Sequence, residues 1–145
     1  MIHHRHGDIF RSEMRTLVNP VNTVGVMGKG LAAAFRRRFP EMFGEYHLRC
    51  KHGLLEPGKL FLWRGHPKQV LCFPTKRDWR NPSLLAYVDQ GLAEFMRVFE
   101  NGKALGGGVA FPMLCCGLGG LRWEDVEPVM LKRLELFEGD VEIYV

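Results

Sequence analysis

Apolar residues recur along this chain in two ways: in short dense runs bounded by turn residues, and in longer stretches with a spacing of three or four. The first pattern predicts strands and the second predicts amphipathic helices. Because the two kinds alternate, we predict an α/β fold, a three-layer α/β/α sandwich with a mixed, centrally parallel sheet. About six strands are expected, at residues 1–6, 16–21, 59–64, 69–74, 107–112 and 141–145.

Helical stripes occupy four stretches between these strands. The first begins in a glycine-rich loop and buries Leu31, Phe35 and Phe39, and Pro40 then separates it from the second. Ser83 is expected to cap the third and longest helix. The other stripe residues are Met42, Phe43 and Tyr46 of the second helix, Leu84, Val88, Leu92, Phe95 and Phe99 of the third, and Trp123, Val126, Met130, Leu134 and Phe137 of the fourth.

Three loop segments are expected to meet at one edge of the sheet. Ligands of open α/β sheets bind beyond the carboxyl ends of the parallel strands. The segments that follow predicted parallel strands are 19–30, 74–80 and 112–121. A ligand site is therefore predicted where these three segments converge.

Composition narrows the class of protein only a little. The 145 residues fit one domain, 1–145, and the net charge of +4 suits an anionic partner without requiring one. Four cysteines without metal-ligand spacing, and the absence of an apolar leader or long apolar run, predict a cytoplasmic protein with no membrane contact. The histidines of "MIHHRH" are interpreted as a solvated edge strand rather than a metal site, and no metal or cofactor is expected.

Both glycine-rich loops, "GVMGKG" and "CGLGGL", follow a strand and precede a helix. Glycines there let backbone N–H groups approach an anion, and the next helix adds the positive end of its dipole. Neither loop matches the phosphate loop of nucleoside triphosphatases or a dinucleotide fingerprint. Two such loops at one edge indicate a ligand with a pyrophosphate flanked by sugars.

The motifs "GDIF", "LVNPVNTVGVMGKGLA", "FPTKRDWR" and "GLGGLRW", in this order, resemble those of macrodomains, the ADP-ribose-binding fold. The resemblance covers essentially the whole chain. It is closest to the DarG-like branch of DNA ADP-ribosyl glycohydrolases, which is related to the terminal ADP-ribose protein glycohydrolase. It implies an antitoxin-like enzyme that removes ADP-ribose from thymidine in single-stranded DNA. It further implies a DarT-like toxin as a functional partner, and we expect a monomer.

The resemblance also assigns roles to individual residues. Asp8 and Ile9 match the adenine pocket, and Asn22 matches the asparagine that holds the distal ribose and takes part in catalysis. An Asx-turn at Asp8 and capping of the glycine loop by Asn22 are the alternatives that the residue types leave open. The other ADP-ribose contacts that it implies are Gly25, Val26, Met27, Gly28, Gly30, Thr75, Cys116, Gly117, Leu118, Gly119, Gly120 and Leu121.

Lys76, at the end of an apolar strand, matches the catalytic lysine. A free lysine with a pKa of about 10.4 is almost fully charged at pH 7. Burial and neighbouring cations such as Lys29, Arg77 or Arg80 are expected to lower its pKa. The neutral amine then attacks the anomeric carbon, expels the base, and leaves a Schiff base for water to cleave. A lysine that reaches solvent and pairs with a phosphate is the alternative.

Two departures bear on the substrate. The protein-directed sibling carries an aspartate where this chain has Gly119, so the glycine favours DNA and removes one candidate acid or base. Cys115 stands where a glycine is usual, and its side chain is expected to point away from the phosphates. Cys116 is interpreted as packing rather than as a nucleophile.

The segment "KRDWR" also favours DNA, because Trp79 is able to stack on an unpaired base while Arg77 and Arg80 meet the backbone. A tryptophan packed on its own helix start is the alternative. Two other functions stay open: hydrolysis of ADP-ribosylated acidic protein side chains or O-acyl-ADP-ribose, and a reader module that binds ADP-ribose without turnover.

Overall fold

The predicted strands form a single six-stranded sheet in the computed structural model, which describes residues 1–145. The strands are β1 (Ile2–Arg5), β2 (Thr16–Val21), β3 (Phe61–Trp63), β4 (Gln69–Pro74), β5 (Gly108–Pro112) and β6 (Asp140–Tyr144). The helices are α1 (Gly30–Arg38), α2 (Pro40–Lys51), α3 (Leu85–Phe99) and α4 (Trp123–Leu134), with short 3-10 helices at Ile9–Arg11 and Lys103–Leu105.

The sheet has the strand order β1-β6-β5-β2-β4-β3. Only β3 runs antiparallel to its neighbour, and every other pair is parallel. The predicted α/β fold with a mixed, centrally parallel sheet is therefore confirmed. Because β2, β4 and β5 are parallel neighbours at its centre, their carboxyl ends and the loops that follow lie at one edge.

Each face of the sheet has its own apolar core, which gives the three layers. On one face, α3 and α4 enclose a cluster of 18 buried residues in which the rings of Phe95 and Phe111 lie 5.4 Å apart. On the other face, Phe35 of α1 and both Met42 and Tyr46 of α2 belong to a cluster of 12. Apolar residues of β2 and β4 serve both clusters, which explains why β4 is buried along its whole length.

The predicted ends of two helices are wrong. Helix α3 begins at Leu85, so Leu84 is its N-cap residue and Ser83 does not cap it; the Ser83 backbone N–H donates to the carbonyl of Gly119. Leu84, predicted in the buried stripe, is 49% exposed. Helix α4 ends at Leu134, so Phe137 is buried against the core from the turn that follows rather than from the helix. None of the helices is both long and apolar enough to cross a membrane.

Candidate ligand-binding site

A cavity of about 800 Å³ opens at the carboxyl edge of the central strands. Its volume is in the range of pockets that hold drug-sized ligands. All three segments that were predicted to converge contribute to it. The lining residues are Pro20, Val21, Asn22, Val26, Met27, Gly28, Lys29 and Gly30 of the first segment, Leu31 and Ala32 of helix α1 just beyond it, Thr75, Lys76, Trp79 and Arg80 of the second segment, and Pro112, Met113, Cys115, Cys116, Gly117, Leu118 and Gly119 of the third.

Asn22 organises the glycine loop after β2. Its Nδ2 donates to the carbonyl of Val26 at 2.8 Å, while its Oδ1 accepts from the backbone N–H groups of Val24 and Val26 at 3.2 and 3.3 Å. The hydroxyl of buried Tyr46 donates to the same Oδ1 at 2.8 Å. The side chain is therefore engaged in the loop, which is the capping role that the sequence left open. One N–H of Nδ2 remains for a ligand.

Lys76 follows β4 and is half-buried at the cavity wall. Its Nζ lies 3.0 Å from the carbonyl oxygen of Leu118 and 3.5 Å from that of Trp79, to which it donates. The amine therefore connects the segment after β4 with the glycine loop after β5. It sits between the two glycine loops, where the predicted mechanism requires a nucleophile.

The positive charge around Lys76 is smaller than the sequence suggested. Arg80 forms a bidentate ion pair with Asp78, at 3.0 and 2.8 Å, and its guanidinium holds the pKa of that carboxyl at about 2. Arg80 therefore remains paired with Asp78 through the neutral pH range. Lys29 and Arg77 are exposed. Arg77 does not line the cavity, although Arg80 and the half-exposed Trp79 do.

The glycine loop after β5 depends on Cys115 and Gly119 lying against each other. Cys115 is the one residue other than glycine with a positive φ, of 63°, and its side chain is 5% exposed among core residues. It points away from open solvent, and burial raises the pKa of its thiol to about 11. A Cβ at Gly119 would lie 2.7 Å from the carbonyl carbon of Cys115, so this loop excludes any side chain there.

The two loops also meet across the cavity. A Cβ at Gly30, the first residue of α1, would lie 3.1 Å from Cδ1 of Leu118. Leu118 is nevertheless 68% exposed, because it crosses the open mouth rather than packing into the core. The amino end of α1 faces the cavity from one side, in the position where a helix binds an anion.

Several predicted contacts lie outside the cavity wall. Asp8 is exposed beyond the end of β1, and its Oδ1 accepts from the backbone N–H of Phe10 at 2.9 Å, so the Asx-turn is present. Its second oxygen makes no hydrogen bond within the chain, and neighbouring Ile9 is 5% exposed. The remaining predicted residues that do not line the cavity are Gly25, Gly120 and Leu121.

Sequence reasoning missed the part that Tyr46 plays in this site. Its position on an apolar stripe placed it in the core, which is correct, since it is fully buried. Nothing in the local sequence indicates that its hydroxyl reaches Asn22, 24 residues earlier. Lys29, Met113 and Cys115 also line the cavity without having been predicted as contacts.

Fold and site together define an α/β protein with a nucleotide-sized cavity between two glycine loops and a lysine on the wall between them. Comparison with known proteins identifies the class. The family model described as "Macro domain" matches residues 18–130. The chain belongs to the macrodomain family, as its motifs predicted.

Particular relatives are found over nearly the whole chain. The chain is 45% identical, over 99% of its length, to a Mycobacterium tuberculosis protein named "DNA ADP-ribosyl glycohydrolase", and 38% identical to a Thermus aquaticus protein of the same name. It spans only 42% and 41% of these two relatives.

Solved structures extend the same comparison. The "Macrodomain of Mycobacterium tuberculosis DarG" superposes with a TM-score of 0.91 at 45% identity, covering 99% of this chain and 97% of that one. "Thermosipho africanus DarTG in complex with ADP-ribose" matches with a TM-score of 0.90 at 37% identity, over 98% of this chain and 41% of that one. The resemblance to the DarG-like branch is thereby confirmed.

Proposed function

We propose that this chain binds ADP-ribose and acts as a glycohydrolase that removes it from thymidine in single-stranded DNA. The observation that carries the proposal is the Lys76 amine, which lies at the cavity wall between the two glycine loops. The relatives named DNA ADP-ribosyl glycohydrolase match the whole chain, and a neighbour of 37% identity is described in complex with ADP-ribose.

We infer one orientation for ADP-ribose in the cavity. The loop after β5, through the N–H groups of Gly117, Leu118 and Gly119, offers backbone donors to the diphosphate, and the amino end of α1 faces them from the opposite side. The loop that Asn22 shapes encloses the distal ribose. The adenosine then extends towards Asp8, whose free carboxylate oxygen is available to accept from an amine. This orientation brings the anomeric carbon of the distal ribose towards Lys76.

Lys76 supplies the chemistry. Its amine leaves the Leu118 carbonyl and attacks the anomeric carbon, and the bond to thymine breaks with the electron pair leaving on the base. The proton that Nζ gives up on forming the new C–N bond passes to the thymine nitrogen. The sugar ring opens to a Schiff base on Nζ, which water hydrolyses to release ADP-ribose and the free lysine.

Features of the cavity mouth favour DNA as the carrier of ADP-ribose. Gly119 leaves no room for a carboxylate beside the diphosphate loop. Trp79, 52% exposed at the cavity mouth, presents a ring to an unpaired base, and Arg77 adds an exposed positive charge two residues earlier in the same segment. The Thermosipho relative is named as a fusion of a DNA ADP-ribosyl transferase with the glycohydrolase. We therefore propose a DarT-like transferase as functional partner. Four unpaired cysteines fit the reducing cytoplasm that we propose as its location.

The test is a parallel assay on an ADP-ribosyl-thymidine oligonucleotide and an ADP-ribosyl-glutamate peptide, with the natural chain and with Lys76→Ala. We expect turnover of the oligonucleotide and loss of at least a hundredfold in Lys76→Ala, with the dissociation constant for free ADP-ribose within about threefold. Lys59→Ala, at a surface lysine paired with Glu56, is the matched control and retains full turnover.

Two other outcomes contradict the proposal in different ways. Turnover of the peptide but not of the oligonucleotide contradicts DNA as the substrate. It favours a hydrolase that removes ADP-ribose from acidic protein side chains. Tight binding of ADP-ribose with no turnover of either substrate identifies a reader module.

A further inference from the structure

The backbone on both sides of Lys76 is fastened by two threonines, on one side to the last residue of β2 and on the other to the loop that follows β2. The carbonyl of Val21 accepts from the N–H of Thr75 at 2.8 Å and from its hydroxyl at 3.4 Å. The carbonyl of Arg77 accepts from the N–H of Thr23 at 3.1 Å and from its hydroxyl at 2.9 Å. Each carbonyl is thus held by two donors of one threonine, and Lys76 lies between the two points.

These bonds continue the β2–β4 pairing beyond the last residues of the strands. Val21 pairs with Pro74 at the end of the ladder, and the next bonds join Thr75 to Val21 and Thr23 to Arg77. A residue between two such bonds has little freedom in its backbone dihedrals, so the direction of its Cα–Cβ bond is fixed. The direction of Lys76 into the cavity is therefore set by the loop that encloses the ribose.

The contact between Thr23 and Arg77 has less support from the surrounding fold than the contact between Thr75 and Val21. Thr75 is 5% exposed and supported by the strand it extends. Thr23 and Arg77 both lie in loops, and the chain from Arg77 to Asn81 is largely exposed. The Thr23 hydroxyl makes the shorter of the two bonds to the Arg77 carbonyl, so it has the larger part in holding this loop in place.

We propose that Thr23 is a positioning residue for Lys76, acting through the carbonyl of Arg77. It does not touch the reacting atoms; its hydroxyl keeps the amine aligned with the anomeric carbon. The inference rests on the proposed role of Lys76 as nucleophile, but not on DNA as the substrate. A purely structural role for the hydroxyl would affect stability and ligand affinity, whereas positioning affects the rate of the covalent step.

The experiment measures that step directly with free ADP-ribose. The open-chain form of ADP-ribose carries an aldehyde at its anomeric carbon. The Lys76 amine condenses with it to a Schiff base with loss of water, and cyanoborohydride delivers hydride to the imine carbon, which leaves a stable secondary amine. Mass spectrometry of the intact protein measures the rate at which this adduct forms in the natural chain and in Thr23→Val, Thr23→Ser and Lys76→Ala.

Thr23→Val keeps the shape and the backbone N–H but removes the hydroxyl, and Thr23→Ser keeps the hydroxyl. We expect Thr23→Val to form the Lys76 adduct about tenfold more slowly, because small misplacements of a reacting group cost rates of this size or more. Thr23→Ser restores the rate to within about twofold, and the melting temperature and the affinity for ADP-ribose stay unchanged in both variants. The rate of adduct formation in Lys76→Ala measures the background reaction of the other lysines.

The inference is overturned if Thr23→Val forms the adduct as fast as the natural chain. It is also overturned if Thr23→Val melts earlier or binds ADP-ribose more weakly and serine does not restore the rate. A natural chain that reacts no faster than Lys76→Ala overturns it too, since there is then no aligned amine. Adduct formation without turnover of the modified oligonucleotide leaves the positioning role intact and removes only the proposed substrate.

Discussion

The hydroxyl of Tyr46 lies 2.8 Å from Oδ1 of Asn22 and 2.9 Å from the carbonyl oxygen of the same residue. The tyrosine is fully buried on α2, and burial raises its pKa far above the ordinary value, so it is a neutral donor at every physiological pH. Through this contact the apolar core under α2 holds the loop that we propose encloses the distal ribose.

Tyr46→Phe is expected to loosen this loop without disturbing the core. One buried hydrogen bond is lost, so we expect the free energy of unfolding to fall by about 1 kcal/mol. The dissociation constant for ADP-ribose is expected to rise severalfold, because the loop is less well ordered before it binds. Urea denaturation and calorimetric titration measure the two effects. Tyr87→Phe, at a half-buried position on α3, is the matched control and changes neither. If Tyr46→Phe binds ADP-ribose as tightly as the natural chain, the Tyr46 hydroxyl does not order the loop for binding.

Gly119→Asp is expected to damage the site rather than to add a catalytic carboxylate. Its Cβ would lie 2.7 Å from the carbonyl carbon of Cys115, so the loop after β5 has to move. We expect the free energy of unfolding to fall by about 1 to 3 kcal/mol and ADP-ribose binding to weaken at least tenfold. Gly28→Ala is the control for stability, because a Cβ there meets only Val26 Cγ1 at 3.6 Å. If Gly119→Asp gains activity on the ADP-ribosyl-glutamate peptide, the loop after β5 does accommodate a carboxylate and the prediction is wrong.

Trp79→Ala is expected to affect the oligonucleotide far more than free ADP-ribose. Stacking of one base on an aromatic ring contributes about 1 to 3 kcal/mol, so KM for the modified oligonucleotide is expected to rise about tenfold. The measurement compares this KM with that for ADP-ribosyl-thymidine without flanking nucleotides. An equal increase for both substrates would show that the ring contacts the ADP-ribose and not the DNA.

Arg77→Ala is expected to reduce the salt dependence of oligonucleotide binding. The side chain is exposed outside the cavity, and we propose that it neutralises a DNA phosphate there. Loss of one phosphate contact lowers the slope of log K against log salt by about one. Fluorescence anisotropy with a labelled oligonucleotide at several salt concentrations measures this slope. Arg97→Ala, at an exposed arginine paired with Glu94 on α3, is the control, and a slope that is equal in the two variants speaks against a DNA contact.

Alkylation at pH 7 is expected to leave turnover intact. Burial raises the pKa of Cys115 to about 11 and raises that of Cys116, so only a very small fraction of either thiol is ionised at neutral pH. The folded chain keeps these protons at pH values where the unfolded chain, with thiols near a pKa of about 8.5, has lost them. The stabilisation that comes from keeping these thiols protonated is therefore complete at pH 7 and is lost as the pH rises from about 8.5 to about 11. Labelling with iodoacetamide across this range, followed by mass spectrometry and activity, provides the measurement. Rapid inactivation at pH 7 would restore a cysteine as a candidate nucleophile.

Much of this architecture was readable from the chain because it depends on local patterns. Alternation of strands and helices, the apolar run of β4 and the two glycine loops each reflect a short segment, and together they predict a parallel centre with loops at one edge. The errors arise where a distant segment intervenes. Ser83 has the side chain of a helix cap, but its backbone N–H donates to Gly119, which is far away in the sequence, and the helix starts only at Leu85.

Contacts within the site were less predictable. Arg80 was expected to add positive charge beside Lys76, but Asp78 neutralises it, a pairing that the letters "KRDWR" permit but do not require. Asn22 was expected to face the ribose, yet most of its hydrogen-bonding groups are engaged within the loop and with Tyr46. Contacts of this kind depend on the side-chain positions that packing selects, which no local pattern specifies.

The sequence by itself determined the α/β class, the family and the edge of the sheet where the candidate cavity lies, because periodicity and glycine spacing are properties of neighbouring residues. Only the tertiary structure decided what holds the site: Tyr46 under Asn22, Thr23 on the Arg77 carbonyl, and Gly119 against Cys115. These contacts join residues that lie far apart in the chain or depend on one backbone angle. They form only when the helices and strands pack, so no single segment specifies their energies.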